Sequence, residues 1–288
     1  MSVPGGGAER NVAMAINLAS KYAQKVQERF SLASVTDAYA GKDYEFSGVK
    51  SIKIYSVDTV AMTDYTRSGT ERFGTLEELG DTTQELIITK DRAFTYSIDK
   101  GNAEQQFNIK QANKSLKRQI DEVVTPEIDK YRISKWVAGA GSTVAEGSLT
   151  KANIIEKVFT AGAVMSNLLV PKTNRTLFIK ETLYVSCKMA DQVIGVDKLG
   201  EESLASGSVG KLDKMNVVPV PDSYFPENVN YFIKYKGASV DPMQLKTYRV
   251  LKDQRGVDGD VVEGRIIYDS FVLDTRKNGI YVSKSAAA

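Results

Sequence analysis

Between Asn11 and Ala33 the apolar residues Val12, Ile16, Ala19, Ala23, Val26 and Phe30 recur at steps of 4-3-4-3-4. That spacing places them on one stripe of a helix. Lys21, Gln24, Lys25, Gln27, Glu28 and Arg29 lie off the stripe, so the pattern predicts an amphipathic helix. Three heptads are too few to specify a coiled coil. Only residues 1–10 precede it, and Gly5, Gly6 and Gly7 beside Pro4 make those a flexible tip. The stripe must therefore be buried against something distant, for which a neighbouring subunit would serve.

From Gly48 to Asp99 the period shortens to two. Ile52 to Val57 reads as a strand, Leu86-Ile87-Ile88 is rich in β-branched residues, and Phe94, Tyr96 and Ile98 alternate with Thr95, Ser97 and Asp99. Residues 63–74 are polar and aperiodic, and 75–80 suggest one short helical turn. The whole predicts a long two-stranded excursion with a mobile tip. An isolated hairpin is marginal in water, so this one must fold back or lie on a partner.

Helical spacing returns at Ala103. Ile109, Ala112, Leu116, Ile120 and Val123 lie at steps of 3, 4, 4 and 3, and Ile128, Tyr131, Ile133, Trp136 and Val137 carry the pattern toward Ala140. About 35 residues would span on the order of 50 Å. Pro126, after Thr125, either starts a second helix at its first position or kinks a continuous one. Gly139-Ala140-Gly141-Ser142 predicts a hinge. Beyond it the pattern is α+β. Helices are expected from Lys151 to Leu168, with Thr150 as N-cap, and from Leu183 to Met189. Strands are expected at Thr176–Lys180, 217–221, 231–233 and 246–251, and 199–210 reads as a surface loop. At the end Arg265–Leu273, an Asn278-Gly279 type I′ turn signal and Ile280-Tyr281-Val282 predict a hairpin.

Composition narrows the chemistry. At 288 residues the chain is two domains' worth, or one body with long excursions; 42% hydrophobic and 26% charged residues allow a sizeable core. Histidine is absent and Cys187 is the only cysteine. Zinc fingers, His-ligated metals, Ser-His-Asp and Cys-His catalysis and intrachain disulfides are thereby excluded. Mean hydropathy is −0.26, no long apolar run suits a membrane helix, and the start has no secretory pattern. A net charge of +2 gives no basic excess for gripping nucleic acid and favours self-association.

Candidate sites weaken on inspection. Asp253, Asp258, Asp260 and Glu263 could supply cation ligands but lack the EF-hand order, so a solvated turn is the better reading. Residues 141–148 suggest a phosphate loop without its lysine. Glu77–Glu78 and Asp121–Glu122 are adjacent and do not face one cleft as paired catalytic carboxylates must. Cys187 and Trp136 read as core, and no cofactor or metal is called for.

Three strings carry a resemblance: Asp91-Arg92-Ala93-Phe94-Thr95-Tyr96-Ser97-Ile98-Asp99-Lys100-Gly101-Asn102, Arg118-Gln119-Ile120-Asp121-Glu122-Val123-Val124-Thr125-Pro126-Glu127-Ile128-Asp129, and the tail from Val262 to Leu273 followed by Lys277 to Val282. With them the chain resembles the major capsid proteins of tailed bacteriophages, particularly phages of Gram-positive hosts, from about residue 11 to 283.

That resemblance implies an α+β tailed-phage major capsid fold with five parts. Residues 1–46 would be an N-terminal arm, 47–99 an extended β-hairpin loop, and 100–139 the long spine helix of a peripheral domain. Residues 140–255 would form an axial domain, and 256–288 the return strands of the peripheral domain with a C-terminal tail. It implies a non-enzymatic virion subunit, assembled in the host cytoplasm into hexamers and pentamers around double-stranded DNA, with a portal protein. This chain has no long additional N-terminal segment, so a separate scaffolding protein is expected. The candidate intersubunit contacts are Val12, Ile16, Val26 and Phe30 on the arm, and Arg67, Arg72, Phe73, Glu77 and Glu78 near the loop tip. A near-neutral lining would confine DNA without holding it. Two other readings stay open: a cellular nanocompartment shell of related fold, and a carboxylate hydrolase using the 253–263 loop.

Overall fold

The computed structural model describes residues 34–41, 51–100, 112–190, 210–252, 254, 256 and 258–286. The predicted arm helix, with Val12, Ile16, Val26 and Phe30, lies outside the described residues, as does 199–209. The excursion forms as two antiparallel strands, β1 (Ser51–Val57) and β2 (Asp81–Ile87), in the register Ser51↔Ile87 to Val57↔Asp81. After a two-residue step the chain enters β3 (Lys90–Asp99). This strand is one edge of a three-stranded antiparallel sheet with β10 (Met243–Lys252) and β11 (Gly259–Tyr268), in the order β10-β11-β3.

Residues 112–138 wind without a break, roughly 40 Å long, but not as one regular helix. Helix α1 (Ala112–Gln119) passes into a π-helical stretch (Ile120–Val124) and then α2 (Thr125–Ala138). Pro126 is the cause. It has no N–H, and its ring would clash with the Glu122 carbonyl in a regular helix. Widening the turn relieves this, and the Thr125 N–H reaches back to the Ile120 carbonyl. Pro126 thus neither starts a separate helix nor simply bends this one. The extra residue in the turn also shifts the stripe: Val123, predicted inward, is exposed, and Val124 packs beside Ile128 and Tyr131.

The largest sheet has six strands in the order β4-β13-β8-β5-β7-β6. They are β4 (Ser142–Glu146), β5 (Arg175–Lys180), β6 (Lys211–Leu212), β7 (Met215–Val220), β8 (Val229–Tyr235) and β13 (Ile280–Ser285). Its central strands are covered on both faces, which is why 176–179 and 231–233 read as unbroken runs rather than alternation. Leu177, Ile179, Tyr231 and Ile233 pack under α3 (Ile154–Asn167) and α4 (Glu181–Lys188). Phe178 and Phe232 face the other way, against Ile133, Trp136 and Val137 of α2, with the two phenyl rings stacked at 4.7 Å. Each such side chain contributes about 1.5–3 kcal/mol through burial. Pro219 is tolerated because beyond Val217, whose N–H reaches the Gly210 carbonyl, no strand pairs with the outer edge of β7 among the described residues.

Several local expectations differ from the structure. Helix α3 starts three residues late, because the Asn153 amide bonds to the Thr150 N–H and the Ser148 carbonyl and closes a turn first. The C-terminal hairpin does not form. Between β11 and β13 lie the short strand β12 (Phe271–Val272), paired with β9 (Ser239–Val240), and a 3₁₀ segment Asp274–Gly279. β13 pairs with β8 and, in parallel, with β4. Gly279 is needed for close approach, since a Cβ there would lie 2.9 Å from that of Ala238. The predicted hinge is likewise a tight crossing: the Gly141 N–H donates to the Lys277 carbonyl, and a Cβ would meet Lys277 backbone at 2.6 Å.

Candidate assembly surface

Alternation on β1 and β2 gives the excursion two faces and decides where it leaves the body. Leu86 and Ile88 are buried with Val240 and Leu273, beside Ile52, Ile54, Ile267 and Phe271. Gln84 closes this base. Its amide donates to the Val272 carbonyl at 3.0 Å and accepts the Asp274 N–H at 3.1 Å. The base is thus supported by the chain's own body, the fold-back alternative of the two expected for this hairpin. Outward of Gln84 the side chains are mostly exposed.

The tip has no regular helix or strand, in line with its aperiodic sequence, but it makes hydrogen bonds of its own. The Thr66 N–H donates to the Arg72 carbonyl, the Gly74 N–H to the Glu71 carbonyl and the Thr63 hydroxyl to the Phe73 carbonyl. Tyr65 meets Phe73 edge to face at 5.1 Å. Residues 63–74 form a small self-bonded loop, with Gly69 and Gly74 at φ +95° and +86°. The helical turn proposed for 75–80 is absent; so short a segment cannot offset helix nucleation.

The predicted contact residues fall on this tip. Arg67, Arg72, Phe73, Glu77 and Glu78 are all exposed. Arg72 donates to the Gly69 carbonyl, and no ion pair among the described residues uses any of these four charges. Sequence reading named Phe73 but missed its apolar neighbours. Met62 is 100% exposed, Leu76 99% and Phe73 86%, with Val60 and Leu79 more than half exposed. Apolar residues inside a polar, periodless stretch were the available clue.

Charged pairs instead lie within the chain. On the three-stranded sheet Arg265 pairs with Asp91 and Arg249 with Glu263, both at 2.6 Å, and Arg92 reaches Glu127. The Arg265 hydrogen bond holds the Asp91 carboxyl below its usual range. Glu263 is thereby committed, and among the described residues no group of three acidic side chains is placed to hold a metal. Asp253 lies outside the described residues. Cys187 is fully buried, its thiol pushed up to about 12 by desolvation. No helix among the described residues is long and apolar enough to cross a membrane.

Segment 34–37 and Thr89 are each held by a buried carboxylate. Asp129 on α2 accepts from the Ser34 and Thr36 hydroxyls and the Val35 N–H, while Arg132 reaches Thr36 and Asp37. Asp269 accepts from the Thr89 N–H and hydroxyl and the Tyr131 hydroxyl. Burial first, then this hydrogen bond, pushes the Tyr131 phenol upward.

By sequence the chain matches no protein-family profile and no curated protein. Its shape matches solved structures over nearly its whole length. A structure from Mycobacterium phage Che8 has a TM-score of 0.77 at 15% identity, covering 96% of this chain and 98% of that one. The capsid structure of the cyanophage P-SCSP1u gives 0.76 at 14%, covering 94% and 93%. The asymmetric unit of the mature capsid of bacteriophage PhiM1 gives 0.71 at 12%, covering 98% and 95%. The α+β fold of this chain is that of phage capsid structures.

Proposed function

We propose that a chain with this fold is a major capsid protein, a non-enzymatic subunit that assembles with copies of itself into hexamers and pentamers of an icosahedral shell. The shell would enclose double-stranded DNA in the virion. A separate scaffolding protein during assembly and a portal protein would be its other partners. Residues 1–46 would act as the arm, 47–99 as the loop reaching a neighbour, 100–139 as the spine, and 140–255 as the axial domain, with 256–288 returning to the peripheral domain. One observation carries the reading: an excursion based on the body presents Met62, Phe73 and Leu76 almost fully exposed, with only Tyr65 set against Phe73 among the described rings. Solvent exposure of three such side chains forgoes about 1.5–3 kcal/mol each, which a neighbouring copy can recover. The charges Arg67, Arg72, Glu77 and Glu78 would add about 0–1 kcal/mol per exposed pair.

Deleting 63–80 tests it. The expected product has the circular dichroism of a folded subunit and forms no shells by electron microscopy. Unaltered shells from the deletion would overturn the proposal.

A further inference from the structure

Segment 34–41 and the base of the excursion are joined by one continuous hydrogen-bond chain that runs through two buried carboxylates. The Gly41 N–H donates to Asp241 Oδ2 at 2.9 Å, and the Asp241 N–H donates back to the Gly41 carbonyl at 2.9 Å. Asp241 Oδ1 accepts the Ser270 hydroxyl at 2.5 Å. The Ser270 N–H donates to Asp269 Oδ1 at 2.8 Å, and Asp269 Oδ2 accepts the Thr89 N–H at 2.8 Å and its hydroxyl at 2.9 Å. Helix α2 holds both carboxylates: Trp136 Nε1 donates to Asp241 at 2.9 Å and the Tyr131 hydroxyl to Asp269 at 2.7 Å. Asp241, Asp269 and Ser270 are at most 4% exposed.

Packing alone does not call for this arrangement. Two carboxylates are buried side by side, and among the described residues no cation bonds to either; each is filled by neutral donors. Such burial is costly unless every acceptor is used. Their donors include Gly41, at the end of the described segment 34–41, Thr89 at the base of the excursion, Ser239, and Trp136 and Tyr131 of α2. Among the described residues only Ser270 bonds to both carboxylates, to one by side chain and to the other by backbone, so it is the bridge.

We infer that Asp241–Ser270–Asp269 is a coupling junction that sets the exit direction of the arm against that of the excursion, with Ser270 as its positioning residue. The inference rests on the capsid reading for its purpose. A neighbour engaging the excursion would then report to the arm of the same subunit. By reciprocity, what fixes the arm also fixes the excursion.

Amide hydrogen exchange on the unassembled full-length chain tests it. Asp129→Asn loosens the arm root without touching the junction. Exchange at the Thr89 amide is expected to rise about 2- to 30-fold in that variant, the range typical of physical coupling. In the Asp129→Asn, Ser270→Ala double variant, compared with Ser270→Ala alone, that response is expected to vanish. The reverse experiment, Thr89→Val read at the Gly41 amide, needs no change at Ser270 and serves if Ser270→Ala does not fold. An unmoved Thr89 amide in Asp129→Asn, an unmoved Gly41 amide in Thr89→Val, or a response that survives Ser270→Ala would each overturn the junction. Ser270→Ala shells are expected to lose uniform size by electron microscopy; wild-type uniformity would overturn its role in assembly. Failure of the native chain to form any shell would instead overturn the capsid reading and leave the exchange result standing.

Discussion

Asp269 shows how few groups hold an appendage to the body. Replacing it with alanine strands the buried Ser270 N–H and removes the acceptor of the part-buried Thr89 N–H and Tyr131 hydroxyl. Asp269→Ala should cost about 3–5 kcal/mol in urea unfolding, with the loss of exchange protection largest at 88–90. Gly264 works by size. A Cβ there would sit 2.4 Å from the Phe94 ring and 2.8 Å from that of Tyr248, so Gly264→Ala should cost about 1–3 kcal/mol by the same measurement. The buried tyrosines set the alkaline limit. Burial first, then the neighbouring carboxylates Glu146 and Glu127, push Tyr281 and Tyr268 up to about 12. With an unfolded value of about 10, their contribution is complete below that pH and is lost as pH rises through about 12. Unfolding by urea along this range should show stability falling, and Tyr281→Phe should fall less steeply.

At the scale of elements, the excursion divides at Gln84 into a packed base and an outlying tip. Substituting Met62, Phe73 and Leu76 together by serine should leave stability within about 0.5 kcal/mol, since they touch little, while abolishing shells in the electron microscope. Leu86→Ala should behave oppositely, costing about 2–5 kcal/mol because it opens a cavity in the base. The tip's charges and Phe73 were legible as candidates, but Met62 and Leu76 were passed over because a periodless stretch offers no face to assign them to. The long helix teaches a related lesson. Its existence followed from spacing, yet the phase of its stripe did not, because one π turn at Pro126 moves the inward position from Val123 to Val124.

For the whole molecule, the described ion pairs satisfy charges within the chain, and the tip adds the exposed apolar side chains Met62, Phe73 and Leu76 beside its charges. Assembled shells should therefore persist at about 1 M salt, where the Debye length is about 3 Å; light scattering across a salt series checks this, and dissolution would assign the contacts to charge instead. The α+β pattern, the two strands of the excursion, the winding of 112–138 and the exclusion of histidine chemistry were all determined by the sequence, because periodicity and composition are local or summed properties. The home of the last strand was not: Asn278-Gly279 carries a hairpin signal, but β13 finds more to pair with between β4 and β8 than beside β11. Nor was the burial of Asp129, Asp241 and Asp269, whose decisive partners on the two appendage roots stand from 93 to 200 residues away. An aspartate in a sequence looks solvated; only the folded chain brings it donors enough to leave water.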